Sequence, residues 1–272
     1  MTDLSDLMKQ RYGTARHGMP VDGNAVLASL MTHRSVRAYL DTPLPEGTLE
    51  RLMAAAQSAA SSSNLQAWSV IAVRDAERKA RLAEWAGGQA HIRQAPLFLA
   101  FIADLSRLNR IAQAQGVAHE ANDYLEMFLV AVVDAALAAQ NVAAAAESMG
   151  LGTVYIGALR NQPEKVAQEF GLPPYAFGVF GMCIGHPDPS KPASIKPRLA
   201  QPAIVHHERY DVAAQSAPIA EYDELFKAFQ VSQSLPTAGW NAPTATRVKG
   251  IEALMGRHTL RAALARLGFR LE

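Results

Sequence analysis

Residues 124–157 read YLEMFLVAVVDAALAAQNVAAAAESMGLGTVYIG, and the fold turns on how this run is taken. It is the longest apolar stretch in the chain. Asp134, Gln140, Asn141 and Glu147 interrupt it, and alanine dominates its second half. A bilayer span would carry fewer polar groups and more Leu and Ile. The run therefore reads as a long central helix, Glu120 to Met149. With apolar residues on all sides, one face should meet a sheet and the other a second helix or a second subunit. Asp134 within it reads as a satisfied buried carboxylate rather than a catalytic one. Gly150 and Gly152 close the helix as a C-cap signature, and Thr153 to Ile156 follows as a strand.

Upstream of this helix, Pro96 to Ile102 (PLFLAFI) is wholly apolar and reads as a central buried strand. Trp68 to Val73 is a second strand, Asp75 to Ala86 a helix, Gly87-Gly88-Gln89 a tight turn, and Ser106 to Gln115 a polar helix. Pro45 to Ala60 is a helix with acids in its first turns and the stripe Leu49, Leu52, Met53, Ala56. Ser61-Ser62-Ser63-Asn64 ends it. Val36 to Leu40 reads as a short strand or extended piece, ended by Thr42-Pro43. Asp3 to Gln10 and Asp22 to Met31 read as helices, the second with Val26, Leu27, Leu30 and Met31 on one face. Downstream, Pro163 to Phe170 is a helix and Phe177 to Ile184 a glycine-spaced strand. The arm from His186 to Pro202 holds five prolines and is irregular. Ile204 and Val205 are expected to add a terminal strand. Ala220 to Phe229 and Arg247 to Leu267 look helical, with a mobile loop over 231–246.

Composition bounds the function. The chain has 272 residues, 49% hydrophobic and 19% charged, enough for one large domain or a core with an excursion. A net charge of +1 gives no field for nucleic acid or a membrane surface. The single Cys183, in the apolar run FGMCI, excludes an internal disulfide and reads as a small buried side chain. The N-terminal residues are acidic, with no apolar core, so a cytoplasmic protein is expected.

Several motifs fail. Gly150 to Gly157 superficially matches a dinucleotide fingerprint, but a helix precedes it and a strand follows, the reverse of what that motif needs. There is no GxxxxGK loop and no G-x-S-x-G elbow. His206-His207 is adjacent rather than at helical metal spacing, and no HExxH occurs, so no metal is expected. What remains is a set of binding residues. His33-Arg34-Ser35-Val36-Arg37 packs two guanidiniums, an imidazole and a hydroxyl into five residues, a donor set suited to phosphate. Lys196-Pro197-Arg198 returns two more cations. Ser61 to Gln66, Gly87 to Gln89 and Tyr155 to Asn161 add small and hydrogen-bonding groups. Cations and amides without an acid, nucleophile or metal set point to chemistry owned by a cofactor.

Taken together, HRSVRAY (33–39), SSSNLQ (61–66), GGQ (87–89), the run from Val133 to Asn161, FGMCIG (180–185) and KPRL (196–199) resemble the oxygen-insensitive nitroreductase and flavin reductase family, in the group typified by the major NADPH nitroreductase of enteric bacteria. The match runs in order over about residues 25 to 230. This resemblance implies an α+β fold, with a central, mostly antiparallel sheet flanked by helices, in an intertwined homodimer with FMN at each subunit interface. It implies an N-terminal extension over 1–24, an FMN-binding core over 25–205 and a C-terminal helical excursion over 206–272.

By matching position, His33, Arg34, Ser35, Lys196 and Arg198 should hold the phosphate, and Arg37 should lie near the N1/O2 edge of the flavin. Ser61, Ser62, Ser63, Gln89, Tyr155, Ile156 and Gly157 should line ribityl or ring. Asn64, Leu65, Arg160, Asn161 and Arg247 fall on the substrate side. The implied activity is a ping-pong two-electron transfer from NADPH or NADH through FMN to nitroaromatics, quinones or flavins. No protein residue is catalytic in it, because flavin N5 carries the hydride. A flavin reductase feeding a partner and a flavin-binding protein without turnover are the alternatives. Asn64 stands where close relatives carry an aromatic residue, Ala158 replaces a second glycine, and 231–246 contains no Lys or Arg.

Overall fold

The structure is a computed structural model that describes residues 4–13 and 23–272. The expected start of the second helix at Asp22 lies outside those residues. The chain divides into two compact units, each built from two segments: Met1–Arg34 with Ser194–Leu254, and Ser35–Ala193 with Met255–Glu272.

In the first unit, α1 (Leu4–Tyr12) packs on α2 (Ala25–Met31), whose N-terminus is capped by the Asn24 side chain. The residues expected to bury one face of α2 do not: Val26, Leu27 and Leu30 are exposed.

The second unit holds the sheet. It runs through α3 (Thr48–Gln57), β1 (Trp68–Val73), α4 (Ala76–Trp85), α5 (Ala90–Gln94), β2 (Leu97–Asp104), α6 (Ser106–Ala114), α7 (Leu125–Ser148), β3 (Gly152–Ile156), α8 (Pro163–Phe170) and β4 (Ala176–Gly185). The four strands lie in the order β1-β2-β4-β3 and every pairing is antiparallel. All eight residues of β2 are buried, as a strand covered on both faces requires. Between β2 and β4 the register slips after Phe101↔Phe180, leaving Val179 as an extra residue.

The long run is helical as expected, although it starts with a 3-10 turn over Glu120–Asp123 before α7 proper. Small residues on one face of α7, Ala131, Ala135, Ala138, Ala139, Val142, Ala143 and Ala146, sit against α3 and β2 with no exposed surface to speak of. Its length and composition alone would suit a bilayer; packing makes it the core helix of this unit. Leu125, Leu129, Val133 and Leu137, spaced by four, form an exposed apolar stripe on α7.

The chain then returns to the first unit with α9 (Ser216–Ser232) and α10 (Asn241–Arg247), and to the second with α11 (Leu260–Arg266). Of its two readings, Val36 to Leu40 takes the extended one: it joins no named strand, and isolated bridges link Ser35 to Thr153 and Tyr39 to Pro187. Two expectations need correction. Ile204 and Val205 are exposed and follow a 3-10 turn rather than forming a strand. Arg247 to Leu267 is not one helix; Gly250 and Gly256 split it into α10, two 3-10 turns and α11. Conversely, α9 and α10 extend into 231–246 and leave 233–240 as its irregular part.

Candidate functional site

In the first unit, the cation-bearing segments that are distant in sequence come together. Arg11 of α1, only 7% exposed, spans them. Its guanidinium donates to the Lys196 carbonyl at 2.7 Å, to Met31 at 2.8 Å and to His33 at 3.1 Å. The Arg198 N–H donates back to the Arg11 carbonyl at 2.8 Å. Tyr222 of α9 donates its hydroxyl to the Pro197 carbonyl at 3.0 Å, so the proline arm is fixed from two sides. His33, Arg34, Lys196 and Arg198 are thereby held on one braced pair of segments. The Lys196 ammonium sits 6.0 Å from the centre of the Phe226 ring. The Arg34 and Arg198 guanidiniums are exposed and, among the described residues, bond to carbonyls of their own segments. Neither forms an ion pair with a carboxylate among the described residues.

In the second unit, Ser35 and Val36 lie on the start of β3. The Val36 N–H bonds the Thr153 carbonyl at 2.9 Å. Gly152 is required there, because a Cβ would come within 2.7 Å of the Val36 side chain. Tyr39 fixes the other end through its buried hydroxyl, which donates to Val36 at 2.7 Å and Cys183 at 3.3 Å. Burial pushes that phenol and the Cys183 thiol far above their ordinary range. Cys183 is thus an inert core residue, as its surroundings in sequence imply. Arg37 is exposed and without an ion pair among the described residues. Its charge reaches His91 of α5, whose imidazole burial and Arg37 together hold below the ordinary pKa. The His91 Nε2 is buried with no partner.

The loop 61–66 is built by Asp134. That carboxylate, 1% exposed, accepts from the Ser61 hydroxyl at 2.8 Å, the Ser62 N–H at 3.1 Å and the Ala67 N–H at 3.1 Å. It is the satisfied acid the sequence suggested. Clamped at both ends, the loop carries Ser63, Asn64 and Gln66 at left-handed φ of 48°, 55° and 50°. Such backbone persists where the surroundings over-determine it, which is commonest at ligand sites. Ser62 and Ser63 are exposed, and Asn64 and Leu65 line a cavity of about 750 Å³ with Met53, Trp68 and Arg107.

The remaining residues fall beside β3 and β4. The Tyr155 hydroxyl faces Gln140 at 3.4 Å, and burial followed by the nearby Glu147 raises its pKa. Arg160 donates to the Val179 carbonyl, the group freed by the bulge in β4, so its guanidinium braces the sheet. The Asn161 Oδ1 is a buried acceptor left without a partner. Gln89 bonds the Ala86 carbonyl at 3.0 Å within its own turn. Arg247, at the end of α10, is bonded to the Ala253 carbonyl. Reading the sequence residue by residue does not reveal Arg11 or His91. Asp134 is the exception, because an acid in the middle of an Ala-rich helix marks itself.

An antiparallel four-stranded sheet packed on a long alanine-rich helix defines a class, an α+β protein. The comparisons give the family. Residues 30–186 match the model of the nitroreductase family, and residues 196–272 match that of its C-terminal domain. The chain is 39% identical over 253 residues to an FMN reductase [NAD(P)H] of Bacillus subtilis, covering 92% of this chain and 99% of the relative. It is 37% identical to the NADPH-flavin oxidoreductase of Vibrio harveyi over 78% of this chain and 85% of that one. The solved structure of B. megaterium NfrA2 superimposes with a TM-score of 0.87 at 36% identity, covering 92% of this chain and 100% of that one. The chain belongs to the nitroreductase family.

Proposed function

We propose that this chain is an FMN-dependent NAD(P)H oxidoreductase that passes two electrons to nitroaromatics, quinones or flavins. One observation carries the reading: Arg34 and Arg198 are presented, without carboxylate partners among the described residues, on two segments that Arg11 ties together. A braced, uncompensated pair of guanidiniums fits a phosphate monoester. In the second unit, the Ser62 and Ser63 hydroxyls, the Arg37 charge and the vacant Asn161 acceptor are polar groups of the kinds the rest of FMN would use.

FMN, when bound, would supply the two-electron redox chemistry between a nicotinamide and the acceptor. The residues of this chain bind and tune. His33, Arg34, Ser35, Lys196 and Arg198 hold the phosphate. Arg37 offsets negative charge developing on the ring. Ser61, Ser62, Ser63, Gln89 and the backbone at Tyr155, Ile156 and Gly157 line ribityl and ring. Asn64 and Leu65 bound the cavity for the acceptor, with Arg160, Asn161 and Arg247 on the substrate side. Solvent provides protons. The exposed stripe Leu125, Leu129, Val133, Leu137 supports a homodimer, since soluble chains seldom leave such a face uncovered. A cytoplasmic location belongs to the same reading.

Steady-state kinetics with NADPH and NADH against a nitroaromatic, a quinone and free FMN test it. Saturable nitro or quinone turnover with weak turnover of free FMN is the expected result. Saturation by free FMN at low micromolar concentration, with slow nitro reduction, would assign the second reading instead, a flavin reductase that feeds a partner. That alternative is supported by the name carried by the B. subtilis relative.

A further inference from the structure

Helix α1 lies outside both matched family regions, which begin at residues 30 and 196. Its position is nonetheless not peripheral to the anion-binding segments. Two residues of α1 are buried, Leu7 and Arg11. Leu7, 1% exposed, seats the helix; Arg11 makes the connections.

The connections that Arg11 makes to these segments are to backbone, and the geometry matters. The guanidinium gathers the carbonyls of Met31 and His33 on one side and of Lys196 on the other. A trans peptide points its N–H opposite to its carbonyl. With the His33 carbonyl turned onto Arg11, the Arg34 N–H faces away from α1, and it makes no hydrogen bond among the described residues. The same guanidinium fixes the distance between the peptide that precedes Arg34 and the peptide that precedes Pro197. The Arg198 N–H, bonded to the Arg11 carbonyl, fixes the start of the Arg198 side chain as well. A rigid planar fork suits this task better than an ammonium, because its donors reach three carbonyls in set directions.

We propose that Arg11 is a positioning residue for the phosphate of the bound cofactor. It sets the spacing of the Arg34 and Arg198 guanidiniums from a helix that the family's matched regions do not include. The proposal rests on the FMN reading above, and goes beyond it in giving the N-terminal segment a part in cofactor selection. Arg11 touches no cofactor atom in this account; it acts through the His33–Arg34 and Lys196–Arg198 backbones.

The test measures flavin binding rather than turnover. Apoprotein of the full chain is titrated with FMN and with riboflavin, which differ only in the phosphate, following flavin fluorescence. For the wild type, FMN should bind at least about tenfold tighter than riboflavin, the least that one charge-assisted contact supplies. In Arg11→Ala, FMN affinity should fall by roughly tenfold or more while the riboflavin Kd stays within about threefold, so that the ratio collapses toward one. Arg11→Lys keeps the charge and part of the bonding, and should recover part of the ratio. It also serves as the folded variant if Arg11→Ala does not refold. Either an unchanged FMN-to-riboflavin ratio in the folded variants, or equal weakening of both flavins, overturns the proposal. A wild type that binds FMN and riboflavin equally overturns the phosphate reading instead, so the two failures are distinguishable.

Discussion

At the level of single residues, the proposed phosphate reading rests on Arg34 and Arg198, and the 61–67 loop on Asp134. Removing both guanidiniums, Arg34→Ala with Arg198→Ala, deletes two charge-assisted contacts worth about 1.5–3 kcal/mol each. FMN affinity should drop by at least roughly a hundredfold. Full yellow occupancy of the double variant after dialysis would contradict the phosphate assignment. Asp134→Asn replaces an oxygen that accepts from the Ser61 hydroxyl and the Ala67 N–H with a donor. The cost should be about 1–3 kcal/mol, from polar groups left facing one another. A thermal scan should show the midpoint falling by about 2–4 °C for each kcal/mol lost. An unchanged midpoint would mean that the loop is held otherwise.

His91 adds a pH dependence. Its pKa is depressed in the fold, so the unfolded chain takes up a proton first as pH falls. Its contribution to stability is therefore complete above about 6.5 and is lost as pH falls from there through the depressed value. Urea titrations between pH 8 and pH 5 should show His91→Gln losing less stability than the wild type over that range; identical slopes would exclude His91 as a source. These side chains differ in how legible they are. The cations announce themselves by clustering in sequence, and Asp134 by lying mid-helix in an apolar run. Arg11 looks like any arginine in a polar helix, because its partners are carbonyls of residues 20 and 185 positions away.

Among the elements, the strands and long helices follow from local pattern, since each is set by its own periodicity and burial. Where neighbours decide, local pattern leaves readings open or misleads. Val36 to Leu40 fits a strand or an extended piece, and its isolated bridges make it the second. Arg247 to Leu267 has helix formers throughout, but its glycines and capping groups divide it. Helix α10 shows how: Asp223 of α9 accepts from the Trp240 N–H at 2.6 Å and the Asn241 N–H at 2.7 Å, with Lys227 at 2.9 Å. Those amides and that ammonium push the Asp223 carboxyl down to about 2. Its stabilising effect is present above the ordinary Asp value and is lost only as pH falls toward that figure. Asp223→Ala should speed amide hydrogen exchange over 240–247 and leave α7 unchanged; equal protection in both proteins would remove Asp223 as the cap. The irregular stretch before α10 has no cation, and Arg247 is committed to the Ala253 carbonyl. Ala238→Arg should raise the NADPH-to-NADH ratio of kcat/KM; an unchanged ratio would argue against control by this segment.

At the scale of the whole molecule, the sequence conveys the class of fold, because a long alanine-rich helix beside an apolar strand admits few arrangements. What a single chain's pattern conveys less well is which apolar residues remain uncovered. Val26, Leu27 and Leu30 look like core positions in α2 and are exposed, as is the stripe Leu125, Leu129, Val133, Leu137 on α7. Light scattering should therefore give twice the chain mass, and Val133→Arg with Leu137→Glu should shift it toward one chain. A monomeric wild type would contradict the homodimer. The central claim is that this chain holds FMN as the carrier of its electrons. Its most direct test is anaerobic mixing of the purified, FMN-loaded protein with NADPH and, separately, NADH while the flavin absorption is recorded. Rapid bleaching by at least one nicotinamide, followed by recovery of the colour when a nitroaromatic or quinone is added, is the predicted result; a flavin band that neither nicotinamide bleaches would contradict the account.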